Sequence, residues 1–219
     1  MAYAIHYSEI PDIVGYGTQI TNQIATPGTW AYNPSVQGYY YDLDMAKELL
    51  AQTDYAGGFE TTLMWPDISQ PDVATAIQGW LSEIGIIVDL QYLSYPALLP
   101  IAWGEYSNAL VWNYSHLDPA RHGIIPLLNT QNPGAAQTSK SVAFTEEYAQ
   151  LMEQALNETD RDEQQQLIWQ MQEILIDEEC LTIPTFCLGG NFVYHSYVHA
   201  DWWEYCLNAW HPADMWLDK

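Results

Sequence analysis

Between Phe59 and Tyr92 the hydrophobic period changes twice, and this stretch limits the fold more than any other. Phe59, Thr61, Leu63 and Trp65 alternate with Glu60, Thr62 and Met64, the period of two that a strand requires. Pro71 then opens a run in which Val73, Ala76, Ile77, Trp80, Leu81 and Ile84 recur at helical spacing. Gly85 ends that run, and Ile86 to Tyr92 alternates again. Strand, helix, glycine and strand with short connections make a βαβ crossover at about residues 59–92, so its two strands are expected to be parallel.

The remaining segments are read around this unit. Residues 1–43 hold a short opening helix and then a turn-rich, aromatic stretch with Gly15, Gly17, Pro27-Gly28 and Tyr39-Tyr40-Tyr41. Asp42 to Leu50 predicts a short helix capped by Asp42 or Asp44, with Gly57-Gly58 as its stop. Residues 95–103 predict another short helix, Asn108 to Asn113 a buried strand, and residues 129–142 a polar loop. Two amphipathic helices follow. The first carries Tyr148, Leu151, Met152, Ala155 and Leu156, and the second carries Leu167, Ile168, Met171, Ile174 and Leu175. Thr159-Asp-Arg-Asp162 resembles a capping box at the start of the second. Cys180 to Val198 reads as strand-rich, and the last twenty residues form a Trp-laden tail without clear period. The order argues an α/β fold with a mixed sheet flanked by helices.

Composition excludes several partners. With 28 acidic against 5 basic side chains the formal net charge is −23, and charged residues are only 15% of the chain. The acidity comes from a shortage of Lys and Arg. No basic stripe exists to neutralise phosphates, so nucleic acid is not expected as a partner, nor is an anionic membrane surface. At 219 residues and 48% hydrophobic content the chain can bury a sizeable core. Cys180, Cys187 and Cys206 are too few and too scattered for a disulfide scaffold, although one bridge can form. No apolar run approaches a membrane span. Met1-Ala-Tyr-Ala-Ile5 has no basic n-region and no cleavage site, and reads as a cut from something longer.

The reactive residues give no enzyme signature. His195 and His199 have the spacing of a helical metal pair, but in a β-prone stretch residues four apart lie about 13 Å from each other. His116 and His122 flank Asp118 in a loop without a further nearby ligand, so neither a metal nor any other cofactor is expected. Adjacent carboxylates such as Glu146-Glu147 and Glu178-Glu179 are read as solvated faces. GxSxG, a P-loop and GxGxxG are all missing from the sequence. Among the 10 Trp and 16 Tyr, Trp80 and Trp169 read as core or boundary residues on helices, Trp80 on the apolar stripe and Trp169 beside it. Trp112 differs, because it closes a strand and precedes a polar, Pro-containing loop. In open α/β sheets ligands bind at the carboxyl ends of strands, and Tyr95, Trp103 and Tyr114 are close to Trp112 in sequence.

Five ordered segments resemble the family 5 extracellular solute-binding proteins, the oligopeptide, dipeptide and nickel receptors of ABC importers. They are Tyr3-Ala-Ile-His-Tyr-Ser-Glu-Ile10; Tyr41-Asp-Leu-Asp-Met-Ala-Lys-Glu-Leu-Leu50 with Tyr55 and Gly58-Phe59; Ala76-Ile-Gln-Gly-Trp-Leu-Ser-Glu-Ile-Gly-Ile86; Gly104-Glu-Tyr-Ser with Trp112 and Asp118-Pro119; and the closing helix with Ile183-Pro184. Each is weak alone, and together they run through nearly the whole chain. The resemblance implies one lobe of the periplasmic-binding-protein-like class II fold. Residues 1–219 would be a single domain, the second of two lobes, with the first lobe outside this chain. It further implies an extracytoplasmic location, in the periplasm or lipid-anchored at the cell surface, and partnership with ABC permease subunits.

Carried over residue by residue, the resemblance places Trp112 beside the ligand. An aspartate that pairs with the peptide amino terminus in peptide-binding members is replaced here by Ser115, and an arginine found in some oligopeptide receptors by Ala109. Ser115 offers a hydrogen bond without charge assistance. Asp118 is a substitute carboxylate, and Tyr95 and Tyr114 are flanking candidates. The expected solute is an oligopeptide, or an oligosaccharide or metal chelate, held without chemical conversion. Two other readings stay open, a self-sufficient carbohydrate-binding domain and a carboxylate-based hydrolase.

Overall fold

Strand β2 (Glu60–Pro66) is the centre of a parallel three-stranded sheet, flanked by β3 (Ile87–Leu93) and β4 (Ala109–Val111). This computed structural model describes residues 1–15, 17–25, 27–104, 106, 109–111, 130–131, 140–188, 195–199 and 215–218. Helix α3 (Pro71–Ser82) connects β2 to β3, which realises the expected crossover and its parallel pairing. The alternation in β2 turns Leu63 and Trp65 towards α3, where they pack with Val73, Ala74, Ile77, Trp80 and Leu81. Met64 and Pro66 are buried as well, so the opposite face of β2 is also covered. Helix α4 (Tyr95–Ala102) makes contact with β2 and then leads the chain past it to β4.

The crossover is closed by two glycines in contact. Gly58, at φ +93°, lies so near Gly85 that an added Cβ would sit 1.9 Å from the Gly85 carbonyl oxygen. The opening segment packs on the same core: α1 (Ile10–Val14), two short 3-10 turns before it, and α2 (Leu43–Ala51). Asp42 rather than Asp44 caps α2, accepting from the Met45 amide at 2.9 Å. Burial pushes the Tyr7 phenol well above its ordinary pKa, and its hydroxyl donates to the Ala2 carbonyl.

A second core forms between helices α5 (Glu146–Asn157) and α6 (Arg161–Glu173), with a five-residue π turn, Ile174–Glu178, closing α6. Tyr148, Met152 and Ala155 are buried as the period requires. Leu156 is 41% exposed, so the apolar stripe is narrower than the sequence suggests. The expected capping box at Thr159 is corrected by one residue: Asp160 is the cap, its carboxylate accepting from the Asp162 and Glu163 amides.

The described residues of 22–38 have no regular structure of their own and are held by buried side-chain amides. Gln172, fully buried on α6, accepts from the Ala25 amide at 3.1 Å and donates to the Ala31 carbonyl at 2.7 Å. Gln23 forms a pair with the Asn33 backbone, 2.8 Å in each direction. Asn33 in turn donates to the Trp169 carbonyl and to Glu173. Asp177 accepts from the Gln37 and Gly38 amides, and the Tyr39 hydroxyl donates to the Ile176 carbonyl. Tyr39 packs against both cores.

Two short antiparallel ribbons complete the pairing, β1 (Gln19–Ile20) with β5 (Phe186–Cys187) and β6 (Val198–His199) with β7 (Trp216–Leu217). Parallel and antiparallel pairings therefore occur in separate sheets among the described residues. Within the stretch read as strand-rich, the described residues contribute β5 and β6.

Candidate functional site

Strand direction selects one end of the sheet. β2, β3 and β4 all run the same way, Pro66 pairs with Leu93, and Val111 stands opposite Met64. From β2 the chain steps to β3 and then returns across β2 to β4. Right-handed crossovers in opposite lateral directions put their helices on opposite faces. A crevice opens at the carboxyl ends where such connections diverge, and open α/β sheets bind ligands there.

The turn between β2 and α3 occupies this end and is fastened at several points. The Asp67 amide donates to the Leu93 carbonyl at 2.9 Å, and the Ser69 amide to the Pro66 carbonyl at 3.2 Å. The Trp65 indole N–H donates to the Ser69 carbonyl. Gln70 has φ +23° immediately before Pro71, a strained conformation that persists only where its surroundings dictate it. Ile68 projects from the turn with 79% exposure. Tyr92 pairs with Trp65 across the strands, and its hydroxyl donates to the Pro71 carbonyl at 3.0 Å.

Of the candidates read from sequence, Tyr95 is at this end. It is half-buried and opens α4 directly after Ser94, whose carbonyl accepts from the Ala97 and Leu98 amides. Trp112, Tyr114, Ser115 and Asp118 lie outside the described residues, as do His116 and His122. β4, the strand that Trp112 follows in sequence, ends at this edge. Sequence reading missed Ile68, Gln70 and Tyr92. The available signal was a polar turn with one isoleucine between a strand and a Pro-initiated helix.

His195 stacks on Tyr197 and His199 on Trp216. Glu146 and Glu147 open α5 and face solvent. Cys180 and Cys187 are free thiols, and burial pushes the Cys187 thiol up, which lowers its thiolate fraction. Among the described residues, no three His, Cys, Asp or Glu side chains gather around one point that could hold a metal ion. No described helix is long and apolar enough to cross a membrane.

The family model for bacterial extracellular solute-binding proteins, family 5 Middle, matches residues 1–135. The chain belongs to the family 5 extracellular solute-binding proteins. This family 5 chain is 29% identical over 194 residues to Heme-binding protein A of Haemophilus influenzae, covering 83% of itself and 34% of that relative. It is 29% identical over 113 residues to the Dipeptide-binding protein of Escherichia coli, covering 48% of itself and 20% of the relative. Among solved structures it resembles the ABC transporter-associated periplasmic binding protein DppA from Helicobacter pylori in complex with the peptide STSA. That likeness has a TM-score of 0.71 and 26% identity, over 84% of this chain and 36% of the other. The family 5 chain thus spans about a third or less of the relatives that it matches.

Proposed function

We propose that this chain forms one wall of the solute cleft in an extracytoplasmic receptor of an ABC importer, and that the solute is a peptide or a related small molecule. The family match over residues 1–135 carries this reading. It is supported by relatives named for heme and dipeptide binding and by a similar fold that holds a peptide. The chain acts as the second lobe, and closure of the first lobe onto it by hinge motion shuts the solute away from water. The closed receptor delivers the solute to the permease.

Within this wall Trp112 supplies apolar or stacking contact, Ser115 a hydrogen bond, and Asp118 a carboxylate. Tyr95 and Tyr114 flank them, and the fastened turn Asp67–Gln70 sets the rim beside Tyr95. Oligosaccharides and metal chelates are the other solute classes that this aromatic, hydrogen-bonding wall suits. A lipid anchor on the whole receptor would hold it at the cell surface.

The test is a thermal-shift screen of the whole receptor beside this chain, against di- to hexapeptides, oligosaccharides, heme and metal chelates. Ligand at a hundredfold excess over Kd stabilises by about 2.7 kcal/mol. A shift in the whole receptor that is lost on Trp112→Ala supports the reading. A full shift in the 219-residue chain by itself overturns the half-cleft arrangement, and no shift with any class overturns solute binding.

A further inference from the structure

We draw no further inference here: the strongest candidate, the aromatic cluster on the β6–β7 ribbon where His195 stacks on Tyr197 and His199 on the exposed Trp216, carries nothing, because residues 200–214 that join the two strands lie outside the described residues and nothing in the structure shows what covers it.

Discussion

Replacing Gln172 by leucine tests whether buried amides hold the irregular segment 22–38 in place. Gln172, Ala25 and Ala31 are all fully buried, and the side chain serves the Ala25 N–H and the Ala31 C=O at 3.1 and 2.7 Å. Leucine fills a similar volume but offers neither a donor nor an acceptor, so both backbone groups lose their partner without access to water. An unsatisfied buried group costs about 1–3 kcal/mol, which makes about 4 kcal/mol for the pair. The greater apolar burial of leucine offsets about 1 kcal/mol of this. The net expectation is a loss of about 3 kcal/mol, a large share of the 5–15 kcal/mol typical of a folded domain. Urea unfolding followed by tryptophan fluorescence measures it, and hydrogen exchange at the Ala25 amide should accelerate by a comparable free energy. Gln166→Leu, on the exposed face of the same helix, should stay within about 0.5 kcal/mol of the parent. A Gln172→Leu protein within 1 kcal/mol of the parent, by this roughly drawn threshold, would refute the pinning argument.

Three further outcomes are expected. Gly58→Ala drives a Cβ into the Gly85 carbonyl at a positive φ, and should cost at least about 2 kcal/mol by thermal melting; Gly57→Ala, whose Cβ meets nothing, is the comparison. Asp160→Ala removes the cap from α6 and should cost about 1 kcal/mol in the same assay. Burial raises the Tyr7 and Tyr148 phenols in the folded state, so the unfolded chain releases those protons first. Their contribution is complete below the ordinary tyrosine pKa of about 10, and it is lost as pH climbs from there towards the folded values, by about 1.4 kcal/mol per pH unit for each. Urea titrations at pH 9 and 11 measure the fall, and Tyr148→Phe should reduce it by one tyrosine's share.

Periodicity made the βαβ crossover and the two helices of the second core legible, because each buries a regular stripe against one neighbour. The parallel pairing of β2 and β3 follows from the short connections alone. The segment 22–38 was illegible for the opposite reason. Its conformation is set by Gln23, Asn33, Gln172 and Asp177, three amides and a carboxylate, two of them on the far side of the sequence. One sign was present: Gln172 falls on the core face of α6, between Met171 and Leu175, where a polar residue needs buried partners. The cap of α6 was misplaced because Thr159 and Asp160 are both good caps, and only the geometry separates them. Of the candidate site, Tyr95 was singled out for its nearness in sequence to Trp112, and the fold puts it directly after β3 at the start of α4. Ile68 and Gln70 were not, since a turn's rigidity depends on hydrogen bonds that leave no trace in composition.

The contact of Tyr39 with Ile176 also sets a timetable for synthesis. The two residues are 137 positions apart, and Gln172 reaches back 147 to Ala25. At about 5–20 residues per second, a ribosome needs about 7–27 s to deliver the second partner after the first. The crossover around β2 closes from neighbouring sequence and can form meanwhile. The segment 22–38 spends that interval with its apolar side chains, Trp30 and Val36 among them, uncovered. A nascent chain halted before α6 should therefore be cut by protease within 22–38 while the crossover resists, and should lose that sensitivity once Asp177 has emerged.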